Sequence, residues 1–306
     1  MTATVQTNMR THITRWAAAA LTVALIGGIG PVSALAQNGG GSSSGSGAAK
    51  KEKIQQLKKS FRSGLQAAKA NESTQAYTQL EQALQLAQDI GHDGATTKIT
   101  GYLQKLPKNW GNTAIENENW GQALTHFEKG AKYAQDDAYM YYGKGLALVN
   151  MDSTQSGLKT LRQAIEVGNR TGNTRVSDLA TSRIRDEFLA KASKALNAQN
   201  PTTAQADTAL ATLDRMGEYV EPNASSMYYR SRALFEKQQF QQAIDAAEQG
   251  LDMHQGSRSD AAKYHFIVAE SQMKLGSKET ACQRFEQASF GDYKARAEHY
   301  LKNDCQ

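Results

Sequence analysis

The feature that most constrains this chain is a triplet of positions that recurs six times: a small residue, an apolar one four later, and a small or apolar one three after that. It appears as Ala76/Leu80/Ala83, Ala123/Phe127/Gly130, Gly157/Leu161/Ala164, Ala206/Leu210/Leu213, Ala243/Ala247/Gly250 and Ala281/Phe285/Ala288. Spacings of four and then three put all three residues on one face of a helix. A small leading residue lets a second helix approach closely. That second helix is legible twelve residues upstream, where Gly64, Gly111 and Gly145 precede the first three triplets and Ser231 and Ala269 the last two. Each unit therefore reads as a helical hairpin, helix A followed by helix B, with small residues where the two cross. The turns fall at Asn71-Glu72-Ser73, Glu118-Asn119-Trp120, Asn150-Met151-Asp152, Asn200-Pro201-Thr202, Lys237-Gln238-Gln239 and Leu275-Gly276-Ser277. They are mostly polar, and several carry Asn, Gly or Pro.

A hairpin of this size cannot bury its apolar face alone, so repeated hairpins stack into a solenoid. Successive small positions lie 47, 34, 49, 37 and 38 residues apart. The longer intervals imply extended helices or inserted loops around residues 90–106 and 168–185, and the fourth unit, about 187–218, is degenerate. Residues 290–301 read as one further amphipathic helix, which would cap the exposed face of the last repeat. The expected fold of residues 52–306 is an all-α, right-handed α-solenoid of five or six hairpins with a C-terminal capping helix.

Residues 1–36 read as a secretory signal peptide. Arg10 and Arg15 supply positive charge without any acidic residue, an apolar run covers residues 16–29, and Pro31 precedes Ala34-Leu35-Ala36. This order of charged, apolar and small-residue regions is that of a cleavable signal, and the run falls short of the ~20 residues a membrane span requires. An uncleaved anchor is the alternative reading. Membrane contact is expected only through this segment before cleavage, and the mature chain is expected in the periplasm or outside the cell. Residues 37–51 begin as a Gly/Ser tract and read as a flexible linker. The match to G-x-S-x-G within that tract lacks the strand and helix that a nucleophile elbow requires.

The net charge of +5 falls to +3 once the two signal arginines are removed. With no dense basic block beyond Lys50-Lys51-Glu52-Lys53, nucleic acid is not expected as a partner. Both cysteines, Cys282 and Cys305, lie near the C-terminus. Export favours a disulfide between them over two unpaired thiols. Such a bridge closes a loop of 23 residues, worth roughly 3 kcal/mol on the chain-entropy model. No histidine or cysteine falls at a metal-ligand or redox spacing, and no phosphate-binding glycine loop occurs. No catalytic residue, metal or cofactor is expected, and the chain reads as a non-enzyme.

The repeat resembles the tetratricopeptide repeat, which places Trp, Leu-Gly and Tyr in helix A, then Ala, Phe and Ala in helix B. Trp110-Gly111 followed by Ala114 matches part of that helix A, and Tyr141, Gly145 and Leu148 repeat the register. The resemblance covers residues 52–300 and implies a concave face lined by the A helices. Carried over by position, its groove residues are Lys58, Phe61, Arg62 and Leu65; Lys105, Lys108, Asn109 and Asn112; Tyr139, Tyr142, Leu146 and Val149; Tyr228, Tyr229, Arg232 and Phe235; and Lys263, Phe266, Ile267, Glu270 and Met273. The core of that set is Lys105, Lys108, Asn109, Asn112, Tyr139, Tyr142, Leu146, Tyr228, Tyr229, Arg232 and Phe266. Lys108 and Asn112 fall where some members grip a peptide C-terminus, but Gly143 stands where such a clamp has Asn. The tyrosines suit an interface; equally, Tyr at helical spacing packs between helices. The resemblance implies a non-catalytic scaffold that holds a peptide or partner protein. The alternative is a glycan- or cell-wall-binding accessory protein that uses a tyrosine-rich groove.

Overall fold

The computed structural model describes residues 44–198 and 200–306. The signal segment expected over 1–36 and residues 37–43 of the linker lie outside them. Among the described residues the chain is helical with no strand. It divides between Ser177 and Asp178 into two compact units. The first holds the hairpins α1 (Ser44–Lys69)/α2 (Ser73–Asp89), α3 (Asp93–Glu116)/α4 (Trp120–Tyr133) and α5 (Ala138–Asn150)/α6 (Thr154–Thr171). Helix α7 (Thr174–Ala195) spans the division. The second unit continues with α8 (Thr203–Gly217), the hairpins α9 (Ala224–Glu236)/α10 (Phe240–Asp252) and α11 (Arg258–Lys274)/α12 (Lys278–Ala288), a 3-10 turn over Gly291–Tyr293, and α13 (Lys294–Asn303).

The triplets do what their spacing implies. A Cβ built on Gly64 would lie 2.8 Å from Leu80 Cγ, and one on Gly145 would lie 2.8 Å from Leu161 Cγ. One on Gly111 would lie 2.7 Å from two ring carbons of Phe127. Each upstream glycine thus seats the middle residue of its own triplet. The small residue is required there because the two backbones come close enough to exclude a methyl group. Leu80, Phe127 and Leu161 are all fully buried. In the degenerate fourth unit the register differs: Leu210 is only partly buried, and α8 instead packs Ala206, Ala209, Leu213 and Met216 inward.

The turns explain why consecutive helices lie side by side. At Asn71, Glu118, Asp152, Gln238 and Gly276 the backbone is left-handed, with φ of 59°, 56°, 59°, 60° and 83°. In each, the next residue's N–H reaches back to the helix just ended: Glu72 to Ala67 O, Asn119 to Ala114 O, Ser153 to Leu148 O, Gln239 to Leu234 O and Ser277 to Gln272 O, at 2.8–3.0 Å. This is the Schellman closure of a helix C-terminus. The residue that completes it is already the N-cap of the following helix. Gly91 and Gly172 close the connections α2–α3 and α6–α7 in the same left-handed way.

The structure changes two expectations and decides a third between its alternatives. Helix α1 starts at Ser44, inside the tract expected to be a flexible linker over 37–51. Ala48, Ala49, Lys50 and Lys51 are strong helix formers, and they extend the helix into solvent without core contact. The long intervals around 90–106 and 168–185 are extended helix in α3 and α7 rather than inserted loop, even with Pro107 inside α3. The capping helix begins only at Lys294, because Phe290 is extended and a 3-10 turn intervenes. Ala297, Tyr300 and Leu301 of α13 then cover Phe266, Ala269, Phe285 and Ala288, with Tyr300 stacked on Phe285 at 4.4 Å. Cys282 of α12 and Cys305 beyond α13 are joined as a disulfide, with Cα atoms 5.7 Å apart.

Candidate functional site

In the first unit the helix-A residues form a continuous strip. On α3, Lys98, Tyr102, Lys105, Asn109 and Asn112 repeat at alternating steps of four and three, which is one helical stripe. On one side Phe61 of α1 meets it, its ring centroid 5.7 Å from that of Tyr102, with Lys98 Nζ 5.7 Å from the Phe61 ring. On the other side α5 contributes Tyr139, whose hydroxyl donates to Asn112 Oδ1 at 3.1 Å. Lys108 Nζ lies 4.5 Å from the Tyr139 ring and 3.1 Å from Asp137 Oδ2. Tyr142 stands beside Tyr139, ring centroids 5.9 Å apart. Burial pushes the Tyr139 hydroxyl above its ordinary pKa, with the Asn112 hydrogen bond opposing. Lys105 and Asn109 are exposed, and Lys108, Asn112, Tyr139 and Tyr142 half-buried. Leu146, placed in the groove by position, is instead core, 8% exposed. Its side of α5 turns into the packing with neighbouring helices.

In the second unit the expected tyrosines gather around Tyr228. Its hydroxyl is 2.7 Å from that of Tyr293, and its ring lies 5.4 Å from Tyr229 and 5.8 Å from Tyr264. Lys263 Nζ sits 5.0 Å from the Tyr228 ring and 5.1 Å from that of Tyr264. Arg232 donates to Leu196 O at 3.0 Å, which ties α9 to the end of α7. Desolvation raises the Tyr228 hydroxyl well above its ordinary range, raises Tyr264 to about 12, and lowers the Lys263 ammonium. Phe266 does not belong to this surface. It is 2% exposed and packs on Phe285, Tyr293 and Tyr300. The positional rule fails there because the element after the last hairpin is the cap, which folds over the residue that another A helix would leave open.

Two clusters escaped the sequence reading. Tyr77, Trp110 and His126 converge between α2, α3 and α4, with Tyr77 Oη 3.2 Å from His126 Nδ1 and Lys129 Nζ 4.1 Å from the Tyr77 ring. Burial, then Lys129, lowers the His126 pKa. Beside it Glu81 accepts from Tyr133 at 2.6 Å and from Lys132 at 3.1 Å, and these bonds outweigh its partial burial and lower its pKa. At the C-terminus Glu270, Ala295, Arg296, His299, Tyr300 and Asp304 line an open cleft of about 390 Å³. Burial raises the Glu270 pKa against the pull of Arg296 and the Tyr300 hydrogen bond. The first cluster joins three helices, and the second sets Glu270, a groove residue by position, against residues at and just beyond α13; no local spacing announces either meeting. No group of three potential metal ligands occurs among the described residues.

No protein-family model and no curated protein matches the chain. Among solved structures it is similar to MamA residues 41 to the end from Desulfovibrio magneticus RS-1, at 17% identity over 66% of this chain and 97% of that one, TM-score 0.35. It is similar to YrrB, described as a TPR protein with an unusual peptide-binding site, at 15% identity over 65% and 92%, TM-score 0.34. A tetratricopeptide repeat protein from Parabacteroides merdae is 13% identical over 81% and 98%, TM-score 0.28. Likenesses at these TM-scores transfer no partner to this chain. Its helical hairpins stand on their own geometry, the crossings at Gly64, Gly111 and Gly145.

Proposed function

We propose that this chain is a non-catalytic scaffold, exported to the cell envelope, that holds an extended segment of a partner protein across the A helices of its first unit. The observation that carries this reading is the strip itself. Lys105, Asn109, Lys108, Asn112, Tyr139 and Tyr142 offer exposed or half-exposed donors, acceptors and aromatic edges along one side of adjoining helices. Stacked hairpins use extended surfaces of this kind for binding. Several of these groups are already fixed in place by Asp137 and by one another, so less rotamer entropy is lost on binding. The bonded Cys282–Cys305 pair supports an oxidising location. A glycan-stacking groove has less support, because Lys108 and Lys263 cover ring faces of Tyr139 and Tyr228.

The test is affinity purification from the native envelope with cross-linking mass spectrometry, using the intact chain and an Asn109→Asp/Tyr142→Ala variant. Protein cross-links at Lys98, Lys105 and Lys108 that the variant loses support the reading. Cross-links confined to the B helices, or material lost on glycan digestion, would overturn it. N-terminal sequencing of the mature chain tests export, and a cytosolic product starting at Met1 would refute it.

A further inference from the structure

The A helices of the first unit have a one-sided charge. Residues 53–71 of and just beyond α1 carry Lys53, Lys58, Lys59, Arg62 and Lys69 and no acidic residue. Residues 94–115 of α3 carry Lys98, Lys105 and Lys108, again with no acidic residue, and residues 138–151 carry only Lys144. By contrast α2 carries Glu81 and Asp89 and no cation. Some of the cations are already matched: Lys53 pairs with Asp89, Lys108 with Asp137, and Lys144 with Glu128. Lys58, Arg62, Lys98 and Lys105 form no ion pair among the described residues. Lys58 and Arg62 flank Phe61 at helical steps of three and one, Lys98 lies over the Phe61 ring, and Lys105 follows two turns along the α3 stripe.

Four unmatched cations on adjoining helices repel one another and leave a positive potential over the strip. The acidic residues of these helices are Glu52 in the solvent-exposed first part of α1 and, at helix ends, Asp93, Glu116 and Asp137, the last held by Lys108. We infer that the α1/α3 face of the first unit docks an acidic, extended peptide segment, whose carboxylates complete the ion pairs that Lys58, Arg62, Lys98 and Lys105 lack. This rests on the scaffold reading above and names its partner class. The α3 stripe from Lys98 to Asn112 spans roughly 21 Å at the helical rise, enough for about six residues of extended chain. Asn109 at its exposed end offers an amide that can both donate to and accept from a peptide backbone. A single-stranded nucleic acid fits less well, because it needs open aromatic faces for base stacking. Here Phe61 is engaged by Lys98 and Tyr102, and Tyr139 by Lys108 and Asn112.

The experiment is fluorescence anisotropy on the intact chain. The probes are a fluorescein-labelled peptide of alternating Glu and Leu, about ten residues long to overhang the stripe, its Gln-for-Glu analogue, and an oligothymidylate of equal length. The Glu peptide should bind at least about tenfold more tightly than the Gln analogue and weaken as salt is added. Reversal of charge in Lys58→Glu/Arg62→Glu/Lys98→Glu/Lys105→Glu should weaken it by at least about tenfold. The control Lys159→Glu/Arg162→Glu on α6 should not. If the fourfold variant fails to fold, as read by circular dichroism, Arg62→Glu/Lys105→Glu replaces it, since both side chains are exposed. Equal binding of the two peptides, equal loss in the α6 control, or tighter binding of the oligothymidylate overturns the inference. The scaffold reading survives that result if cross-linked partners still map to α3 and the charge-reversed variant retains them. It falls separately if no protein cross-links to the A helices.

Discussion

Phe127 is held between two glycines on successive A helices, and this predicts an unusually costly single methyl group. A Cβ at Gly143 of α5 would lie 2.5 Å from Phe127 Cε1 and closer still to Cζ and Cε2. Comfortable carbon contacts begin near about 3.5 Å, so the ring would have to retreat by about 1 Å. It has nowhere to go, because a Cβ on Gly111 of α3 would lie 2.7 Å from the same ring on its other contact, and Phe127 is fully buried. Overpacking of this kind costs up to about 3 kcal/mol. Replacing Gly by Ala inside a helix returns about 1 kcal/mol of backbone propensity. Gly143→Ala should therefore lower stability by about 2 kcal/mol, read as a shift of the urea midpoint, or by several degrees in Tm for a chain of this size. Phe127→Leu alone opens space and should cost about 1–2 kcal/mol. In the double variant the methyl group fills part of that space, so the two losses should add to markedly less than their sum. A neutral or stabilising Gly143→Ala, or strict additivity in the cycle, would refute the claim that the ring is wedged.

Three further outcomes follow from particular contacts. Cys282→Ala/Cys305→Ala should lose roughly 3 kcal/mol, and hydrogen exchange should rise first in α13 and around Phe285; unchanged protection there would show that the cap is held by packing alone. His126 and His265 both have folded pKa values lowered first by burial and then by Lys129 and Arg284. Their neutral forms therefore contribute stability that is full above the unfolded value of 6.5 and is lost as pH falls below it through the lower folded pKa values. Urea titrations across that window should show a shallower slope in His126→Gln/His265→Gln, and an unchanged slope would place the acid sensitivity elsewhere. Gly276→Ala, at φ 83°, should cost about 1 kcal/mol, whereas Gln238→Gly at the equivalent turn should be neutral or slightly stabilising; thermal melts that rank the two the other way would argue against the shared left-handed closure.

The hairpins were legible because each depends on a local exclusion: Gly64 cannot be larger while Leu80 occupies its crossing, and the same holds for Gly145 and Leu161. The turns were legible in position because Asn71, Asp152 and Gly276 suit a left-handed residue, although Glu118 and Gln238 adopt it without any such preference. The candidate surface was legible only in part. Lys108, Asn112, Tyr139 and Tyr142 fall together as positional reasoning implies. Phe266 and Leu146 do not, because what covers an A helix is decided by its neighbours and not by its own register. His126 gave no signal, since its partners Tyr77 and Trp110 lie on two other helices.

The shortness of the turns also bears on which lengths this chain can accept. In five hairpins the residue that closes one helix is also the first cap of the next, so no spare residue lies between them. One residue inserted within either helix near its end would rotate everything beyond it by about 100°, carrying Leu80 or Phe127 off the crossing it fills. Length variation can be absorbed where α8 passes to α9, over residues 218–223, and where α10 passes to α11, over the mostly exposed residues 253–257. A new loop or a reporter domain inserted into this protein therefore belongs in those two connections, and the hairpin tips should reject it.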